Sequence, residues 1–389
     1  MNRKPTSRPQ NPEWRETLDG LAGQGLLRRL RTVDGAQGRR LQIGGHELLC
    51  FCSNNYLGLA CHPALIRAAR QAAAEYGTGS GASRLVSGSM AIHRDLEDAL
   101  ARFEQADAAI VFPTGYMANL GVIGSLVGRG DVVYCDRLNH ASIIDGCRLS
   151  GATLRVYPHK DAGRLDRLLA RGRGRHALVV TDTVFSMDGD LAPLPDLVEV
   201  CERHGATLMI DEAHATGVLG PTGRGAAEHF GIEPGRIPVV MGTLSKAVGS
   251  LGGYVVGGVD LIELLINKAR SFIYTTAPPP AVCAASIAGL RIIGEEPDRR
   301  AALWERTRQL QDGLRERGLD MGDTESPITP VIVGDADAAV ALSEKLLEAG
   351  VLAPAIRPPT VPDGTARIRL APMATHTAED VQTVLDAIA

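Results

Sequence analysis

The stretch HALVVTDTVFSMDGDLAPLPDLVEVCERHGATLMIDEAHATG, residues 176–217, contains two apolar runs separated by an amphipathic segment. The runs HALVVTDTVF and ATLMIDEAH are short, rich in β-branched residues and bounded by turn residues, which is typical of buried strands. The segment LPDLVEVCERHG between them has the apolar spacing of a helix. The stretch therefore predicts a strand–helix–strand unit with parallel strands.

The same alternation continues on both sides of this unit. Short apolar runs bounded by turns predict further strands in DAAIVF, DVVYCD, TLRVYP, IPVVMGT and GGYVVGG. Repeated strand–helix units predict an α/β fold, with a mostly parallel central sheet flanked by helices. In such sheets ligands bind at the carboxyl ends of the strands.

The pattern of predicted helices and strands changes toward both ends of the chain, which predicts a division into three parts. Residues 1–53 form an N-terminal segment with a loose tail, a helical pattern in TLDGLAGQGLLRRLR and a hairpin around LQIGGHELLCF. Residues 54–285 form the large domain that contains the central sheet. Residues 286–389 combine long helices with a few strands, such as ITPVIVG and ARIRLAP, and predict a smaller C-terminal α+β domain.

The composition argues against several classes of protein. The 389 residues carry a net charge of −4, so the overall charge does not attract nucleic acid or an anionic membrane surface. The seven cysteines form no CxxC pair, which favours reduced thiols in a cytoplasmic protein over disulfides or a metal site. The longest uncharged run, residues 271–290, contains three consecutive prolines and is unsuited to a membrane helix.

The tetrapeptide DEAH, Asp211 to His214, suggests an ATP-driven nucleic-acid motor as a first hypothesis. Such an enzyme needs GxxxxGK[ST] upstream, because backbone amides and the lysine bind the phosphates. The chain contains no GK dipeptide, and its glycine-rich segment GTGSGASRLVSG has no lysine and follows a helical pattern rather than a strand. The sequence therefore contradicts the motor hypothesis.

An acid, a histidine and a lysine after neighbouring strands fit a different cofactor. Asp211 ends the run LMID, His214 follows it, and Lys246, one of only five lysines, lies after the next strand. A lysine amine forms a Schiff base with pyridoxal phosphate (PLP). A buried aspartate keeps the pyridine nitrogen of PLP protonated, so that the ring accepts electrons.

Two further segments suit the phosphate of PLP. The glycine turn of PTGYMANLG opens a helix whose first amides bind an anion, and Thr243 and Ser245 offer hydroxyls beside Lys246. Each feature alone also has an ordinary structural explanation, such as a turn, a helix start or a solvated lysine. Their joint occurrence, in order and at strand ends, favours a PLP site.

Taken in order, the motifs resemble those of the α-oxoamine synthases, a family of fold-type-I PLP-dependent transferases. The resemblance extends from about residue 20 to the C-terminus, and it implies PLP as cofactor and an obligate homodimer in the cytoplasm with an active site shared between subunits. The matching segments are CSNNYLGLACHP, GTGSGASRLVSGSMAIHRDLEDALA, FPTGYMANLG, DRLNHASIIDG, TDTVFSMDGDLAPL, IDEAHATGVLGPTGRG, GTLSKAVGSLGGYV, RSFIYTTAPPPA and AIRPPTVPDGTARIRL.

The resemblance implies roles for five residues around the ring of PLP. Lys246 would carry the cofactor and later transfer a proton, and Asp211 would bind the pyridine nitrogen. His214 and Ser186 would lie near the phenolic oxygen, and His140 would stack on the ring. Lys246, His140, Asp211 and His214 are thus the predicted catalytic residues.

The resemblance also implies the contacts of the phosphate. The backbone of Gly115 and Tyr116 and the hydroxyl of Thr243 would bind it. A hydroxyl from the partner subunit, that of Thr275 or Thr276, would complete the site.

Three residues are implied to bind substrate. Arg357 would hold the carboxylate of the amino acid, and Asn54 would line the site. Arg28 is a candidate for binding the acyl donor, but LLRRLR leaves its register open, and a solvated helix face is the alternative.

The implied reaction is a decarboxylative condensation of an amino acid with an acyl thioester. The segment IRPPTVPDGTARIRL favours L-alanine and a pimeloyl thioester, on coenzyme A or a carrier protein, in biotin biosynthesis. Glycine with acetyl-CoA, aminolevulinate synthesis and long-chain-base synthesis are the alternatives, because one methyl group gives limited discrimination. An aminotransferase would share Asp211 and Lys246, whereas a catalytically dead PLP-binding subunit would lack the lysine.

Overall fold

The structure is a computed structural model of the chain and describes residues 11–24, 26–172 and 174–389. The predicted loose tail falls largely in residues 1–10, outside the described residues. The strands of the described part are β1 Arg40–Ile43, β2 His46–Cys50, β3 Ala108–Phe112, β4 Val132–Asp136, β5 Thr153–Tyr157, β6 Ala177–Asp182, β7 Thr207–Asp211, β8 Val239–Thr243, β9 Gly253–Gly257, β10 Thr329–Gly334, β11 Val351–Leu352, β12 Ala355–Ile356 and β13 Ala366–Leu370.

Helices connect most of these strands. They are α1 Pro12–Gly23, α2 Pro63–Tyr76, α3 Ala91–Glu104, α4 Gly115–Leu126, α5 Ala141–Ser150, α6 Ala162–Ala170, α7 Leu194–His204, α8 Ala226–His229, α9 Val259–Lys268, α10 Arg270–Ile273, α11 Pro280–Glu295, α12 Pro297–Glu316, α13 Ala336–Glu348 and α14 Ala378–Ile388. No helix of the described ranges is long and apolar enough to cross a membrane.

The central sheet has seven strands in the order β3–β9–β8–β7–β6–β4–β5. Helical crossovers make β5, β4, β6, β7 and β8 parallel, which confirms the predicted mostly parallel sheet. Strand β9 runs antiparallel to both of its neighbours. Only residues 244–252 separate β8 from β9, which is too short for the helical crossover that parallel neighbours need.

Apolar residues cover both faces of this sheet. Along β3, Ala109 and Val111 pack into one core cluster, and Ile110 and Phe112 pack into another on the opposite face. Successive residues of a strand point to opposite faces, so this strand is buried on both sides. Helices on both faces are the arrangement that the sequence predicts.

Two smaller sheets contain the strands of the C-terminal part of the chain. The predicted hairpin is present as β1 and β2, and β2 also pairs in parallel with β11. A separate sheet has the order β10–β13–β12. The division of the chain at residues 54 and 286 stays a prediction, and α11 runs across the second of these positions.

The predicted helical pattern in residues 17–31 is wrong in its extent. Helix α1 begins earlier, at Pro12, because the side chain of Asn11 accepts a hydrogen bond from the backbone of Glu13. The helix ends at Gly23, and residues 26–34 form no helix. Gly20 and Gly23 each cost about 1 kcal/mol of helix stability relative to alanine, and none of the residues of α1 is buried.

The start of α4 packs directly against β9. A Cβ atom added at Gly253 would lie 2.6 Å from Gly115 Cα and 2.7 Å from the carbonyl oxygen of Thr114. Both of those atoms belong to the backbone and cannot move aside as a side chain would. This contact fixes the first turn of α4 at the edge of the sheet.

We expect the substitution Gly253→Ala to destabilise the fold by about 1–3 kcal/mol, because the new methyl group overpacks a backbone contact. The midpoint of thermal unfolding measures this loss. Gly294→Ala is the matched control, since Gly294 is exposed in α11 with open space around it, and alanine there gains up to about 1 kcal/mol. Equal unfolding midpoints for both variants would contradict the packing described here.

Candidate active site

A cavity of about 210 Å³ lies at the carboxyl ends of β6, β7 and β8. Its walls include the first turns of α4 and α5. Every residue predicted to bind the cofactor lines this cavity, except the two threonines assigned to the partner subunit. The lining residues that were predicted are Gly115, Tyr116, His140, Ser186, Asp211, His214, Thr243 and Lys246. The fold therefore brings together residues that are spread over more than a hundred positions of the chain.

Asp211 is the last residue of β7 and is buried. The amide of Asn119 donates to its Oδ2 at 2.8 Å, and the backbone N–H of Ala213 donates to its Oδ1 at 2.9 Å. One hydrogen bond on each oxygen fixes the orientation of the carboxylate. The wall of the cavity therefore contains a rigidly held negative group.

Lys246 lies in the turn that follows β8. Burial lowers the pKa of its amine from 10.5 to about 8, because removal from water disfavours the cation. The carboxylates of Asp211 and Asp182 oppose this shift, whereas the guanidinium group of Arg369 adds to it. A much larger fraction of this amine is unprotonated near neutral pH than for an exposed lysine.

His214 is buried, lines both cavities together with Lys246, and is neutral. Burial, followed by the charge of Lys246, lowers the pKa of its imidazole well below the usual value. The hydroxyl of Tyr56 lies 2.7 Å from Nδ1, and burial raises the pKa of that hydroxyl. The tyrosine therefore keeps its proton, and one hydrogen bond joins its hydroxyl to Nδ1 of the neutral imidazole.

His140 caps the start of α5 and is linked to Asp211 by a chain of hydrogen bonds. Its Nδ1 lies 2.7 Å from the hydroxyl of Ser142 and accepts the backbone N–H of Ser142 at 3.2 Å. The amide of Asn119 donates to that hydroxyl at 2.9 Å and also to Asp211. The hydroxyl therefore donates to Nδ1, and His140 carries its proton on Nε2.

Asp182 was missed at the sequence level, although it also ends a strand. It pairs in register with Asp211, and it accepts the backbone N–H of His140 at 2.6 Å. Burial, followed by repulsion from Asp211, raises the pKa of its carboxyl well above the usual value. Its position after the run LVVT was the signal that could have identified it.

The first turn of α4 forms an open cradle for an anion. Gly115 and Tyr116 are its first two residues, and their backbone N–H groups have no acceptor among the described residues. A Cβ atom at Gly115 would come within 3.0 Å of Met241 Cε and 3.6 Å of Thr243 Oγ1. Glycine therefore keeps this corner of the cavity open for a phosphate. The Thr243 hydroxyl itself donates to the carbonyl of Gly252 at 2.8 Å.

These observations fit PLP. The cavity combines an amine that is easily deprotonated, a fixed carboxylate at a strand end and free amides at a helix start, which are the groups that the aldehyde, the ring nitrogen and the phosphate need.

A second cavity, of about 330 Å³, adjoins the first and meets it at Lys246, His140, His214 and Ser186. Asn54 lines it, as predicted for a substrate residue. The remaining lining residues are Cys52, Met187, Pro354, Ile356 and Arg369. The larger cavity therefore joins the central sheet to the small C-terminal sheet.

Arg369 is the substrate-site residue that the sequence interpretation missed. It is buried in β13 and donates to the carbonyl of Ser186 at 2.5 Å, to Asn54 Oδ1 at 3.2 Å and to the Tyr56 hydroxyl at 3.3 Å. Arg357, the residue predicted for the substrate carboxylate, follows β12, is half-buried and lies outside the lining of the cavities described above.

Three other predicted residues lie outside both cavities. Thr275 is half-buried and Thr276 exposed, in the segment between α10 and α11. Arg28 is exposed in the irregular segment that follows α1. The roles given to these residues stay predictions.

Glu212, the second acid of DEAH, supports the fold. It is buried, and its carboxylate accepts hydrogen bonds from Thr183 and from the backbone N–H groups of Ala226 and Ala227. Burial raises the pKa of this carboxyl to about 7. These contacts give the residue a structural role rather than a catalytic one.

The chain has close relatives among known proteins. Residues 46–388 match the family model of the class I and II aminotransferases. The chain is 53% identical over 377 residues to the 8-amino-7-oxononanoate synthase of Geobacter sulfurreducens, with 96% of each protein covered.

Solved structures are similar over nearly the whole chain. Serine palmitoyltransferase from S. paucimobilis with a bound PLP–myriocin aldimine has a TM-score of 0.92 and 35% identity, over 97% of this chain and 96% of that one. The 8-amino-7-oxononanoate synthase of Francisella tularensis has a TM-score of 0.76 and 31% identity, over 88% and 96% of the two chains.

We expect Asn119→Ala to weaken binding of PLP by about tenfold or more, because a buried carboxylate loses a hydrogen bond worth about 1.5–3 kcal/mol. Titration of the apoprotein with PLP, followed by its absorbance, measures the affinity. Ser125→Ala is the matched control, since Ser125 is buried in the same helix and donates to the carbonyl of Gly121, away from the cavity. An equal loss of affinity in both variants would contradict a specific role of Asn119.

Proposed function

The chain belongs to the α-oxoamine synthases within the class I and II aminotransferase family, and we propose that it is an 8-amino-7-oxononanoate synthase. The reaction is the condensation of L-alanine with a pimeloyl thioester to give 8-amino-7-oxononanoate, CO₂ and a free thiol, in biotin biosynthesis. The observation that carries the proposal is the meeting of Lys246, Asp211 and Arg369 at one continuous cavity. The 53% identity to a protein of that name supports the choice of member.

PLP would be held by the residues of the smaller cavity. Lys246 would hold it through the amine, Asp211 would bind the ring nitrogen, and Gly115 and Tyr116 would bind the phosphate. His140, with its proton on Nε2, would pack against the ring. When bound, PLP supplies an electron sink that stabilises negative charge on the α-carbon of the amino acid.

Lys246 would act as the base at the α-carbon of alanine. A base works best when its pKa lies near the working pH, and burial brings the pKa of this amine to about 8. Asp211 and Asp182 stabilise its protonated form once it has taken the proton. The same amine would then return a proton to the product.

Arg369 would bind the carboxylate of alanine. It is the arginine that lines the cavity at Lys246, and Asn54, Tyr56 and the Ser186 carbonyl fix its orientation. An arginine forms paired hydrogen bonds to a carboxylate, which suits it to hold this group until it leaves as CO₂. The role of Arg357 remains a prediction.

The larger cavity would bind the acyl chain. Met187, Pro354 and Ile356 give it an apolar wall beside Lys246. Methylene groups of a pimeloyl chain gain free energy when such a wall removes them from water. The wall comes mainly from the C-terminal part of the chain.

The proposed enzyme is a cytoplasmic homodimer whose active site is shared between subunits. Thr275 and Thr276 lie outside the cavities of their own chain, so a contact of either hydroxyl with the phosphate would be made across the dimer interface. Long-chain-base synthesis is the second candidate, because a serine palmitoyltransferase has a TM-score of 0.92 with this chain. That enzyme is 35% identical to this chain, whereas the 8-amino-7-oxononanoate synthase of Geobacter sulfurreducens is 53% identical, which favours the first candidate.

A thiol-release assay tests the substrates. We expect the PLP-loaded protein to release coenzyme A with L-alanine and pimeloyl-CoA faster than with glycine and acetyl-CoA or with L-serine and palmitoyl-CoA. Lys246→Ala should reduce release to the background, because the variant lacks the proposed base at the α-carbon. Preferential release with either of the other pairs would assign the protein to another member of the family, and no release with any pair would overturn the synthase proposal.

A further inference from the structure

Two thiols lie side by side at the larger cavity, and one of them, that of Cys52, lines its wall. The sulfur atoms of Cys50 and Cys52 are 4.0 Å apart. Cys50 is buried at the end of β2 and packs against Leu352 and Met373. Cys52 is half-buried and lines the cavity beside Lys246 and Arg369. A small reagent that enters the substrate cavity therefore meets Cys52, with the Cys50 sulfur directly behind it.

The surroundings favour a thiolate within the pair. The hydrogen bond between the two sulfurs lowers the pKa of Cys50 to about 7 and raises that of Cys52. The nearby backbone of Cys52 and Ser53 lowers the pKa of Cys50 further. The thiolate is the nucleophilic form of cysteine. The pair therefore combines an easily ionised sulfur at Cys50 with a cavity-lining thiol at Cys52, 4.0 Å away.

We propose that Cys50 and Cys52 form a peroxide-reactive dithiol, which closes to a disulfide and thereby switches off the substrate site. In the first step the thiolate sulfur attacks one peroxide oxygen, the O–O bond breaks, and hydroxide leaves with a sulfenic acid formed. In the second step the neighbouring thiol attacks that sulfur, the S–O bond breaks and water leaves. Overall, two thiols and one hydrogen peroxide give one disulfide and two waters.

The geometry permits closure with a small movement. The two sulfurs must approach from 4.0 Å to about 2.05 Å, which takes rotation of the side chains together with a shift of the segment that follows β2. Cys52 lies two residues beyond Cys50, the last residue of β2, so it is not part of the strand. The movement draws the Cys52 sulfur away from the cavity and toward the buried side.

Closure would disturb the arginine that orients the substrate. Asn54, two residues after Cys52, accepts a hydrogen bond from Arg369 at 3.2 Å. A shift of this segment removes that hydrogen bond and turns the guanidinium group from its position at Lys246. This consequence rests on the proposed function, whereas formation of the disulfide does not.

The other cysteines provide internal controls. Cys61 is half-buried, but its thiol donates to the carbonyl of Gln37 and has no lining role in either cavity. Cys135 and Cys147 neighbour each other and are both buried in the core of the central sheet. A reagent that enters the substrate cavity does not reach either of these sites.

Treatment of the purified holoenzyme with hydrogen peroxide tests the proposal. Peptide mass mapping should show loss of two hydrogens from the peptide that contains Cys50 and Cys52, with activity lost and then restored by dithiothreitol. Cys52→Ser and Cys50→Ala should both abolish this loss of hydrogens, each compared with its own untreated sample. Cys61→Ser and Cys135→Ser should behave as the wild type.

Three results would overturn the proposal. They are a wild type that keeps both thiols under peroxide, a disulfide that forms only between Cys135 and Cys147, and a Cys52→Ser protein that still forms the modified peptide from Cys50. Because mass mapping does not depend on catalysis, a disulfide in a protein without synthase activity would contradict only the proposed function. A disulfide without loss of activity in an active synthase would contradict the switch.

Discussion

The amine of Lys246, held out of water beside carboxylates at the ends of two parallel strands, is the constraint on which the active site depends. Burial alone would favour the neutral amine, whereas the carboxylates of Asp211 and Asp182 alone would favour the protonated amine. The balance leaves its pKa at about 8. Such a balance requires that the ends of β6 and β7 stay in register. The parallel pairing of these strands, which places Asp182 opposite Asp211, fixes that register.

The small C-terminal sheet completes the site by two arginines on one strand. Arg369 donates to the carbonyl of Ser186, and Arg367 donates to the carbonyl of Met187 and to Asp188 at 2.6 Å. Side chains two residues apart on a strand share a face, so one face of β13 binds three consecutive residues of the loop that follows β6, residues 186–188. The loop is therefore held from the C-terminal side, and the substrate cavity forms only when both parts of the chain are packed together.

The sequence was sufficient for those parts of the fold and site that depend on local pattern. Each strand of the central sheet was visible as a β-branched run, and Asp211 and Lys246 were visible because each follows such a run. Arg369 was not visible, because its partner Asn54 lies more than three hundred residues away and an arginine in ARIRL is ordinarily taken as exposed. Asn119 lies within a helix, and its role is recognised only from its hydrogen bond to the carboxylate of Asp211. The N-terminal helix was misplaced because its cap, Asn11, outweighs an apolar pattern interrupted by glycines.

The most direct test of this account is reduction of the PLP-loaded protein with borohydride, followed by peptide mapping. Reduction makes the bond between PLP and a lysine amine permanent, so the mapped peptide identifies the residue. The account predicts that the cofactor is attached to the peptide containing Lys246 and to none of the other four lysines. Attachment at another lysine, or a protein that takes up no PLP, would contradict it.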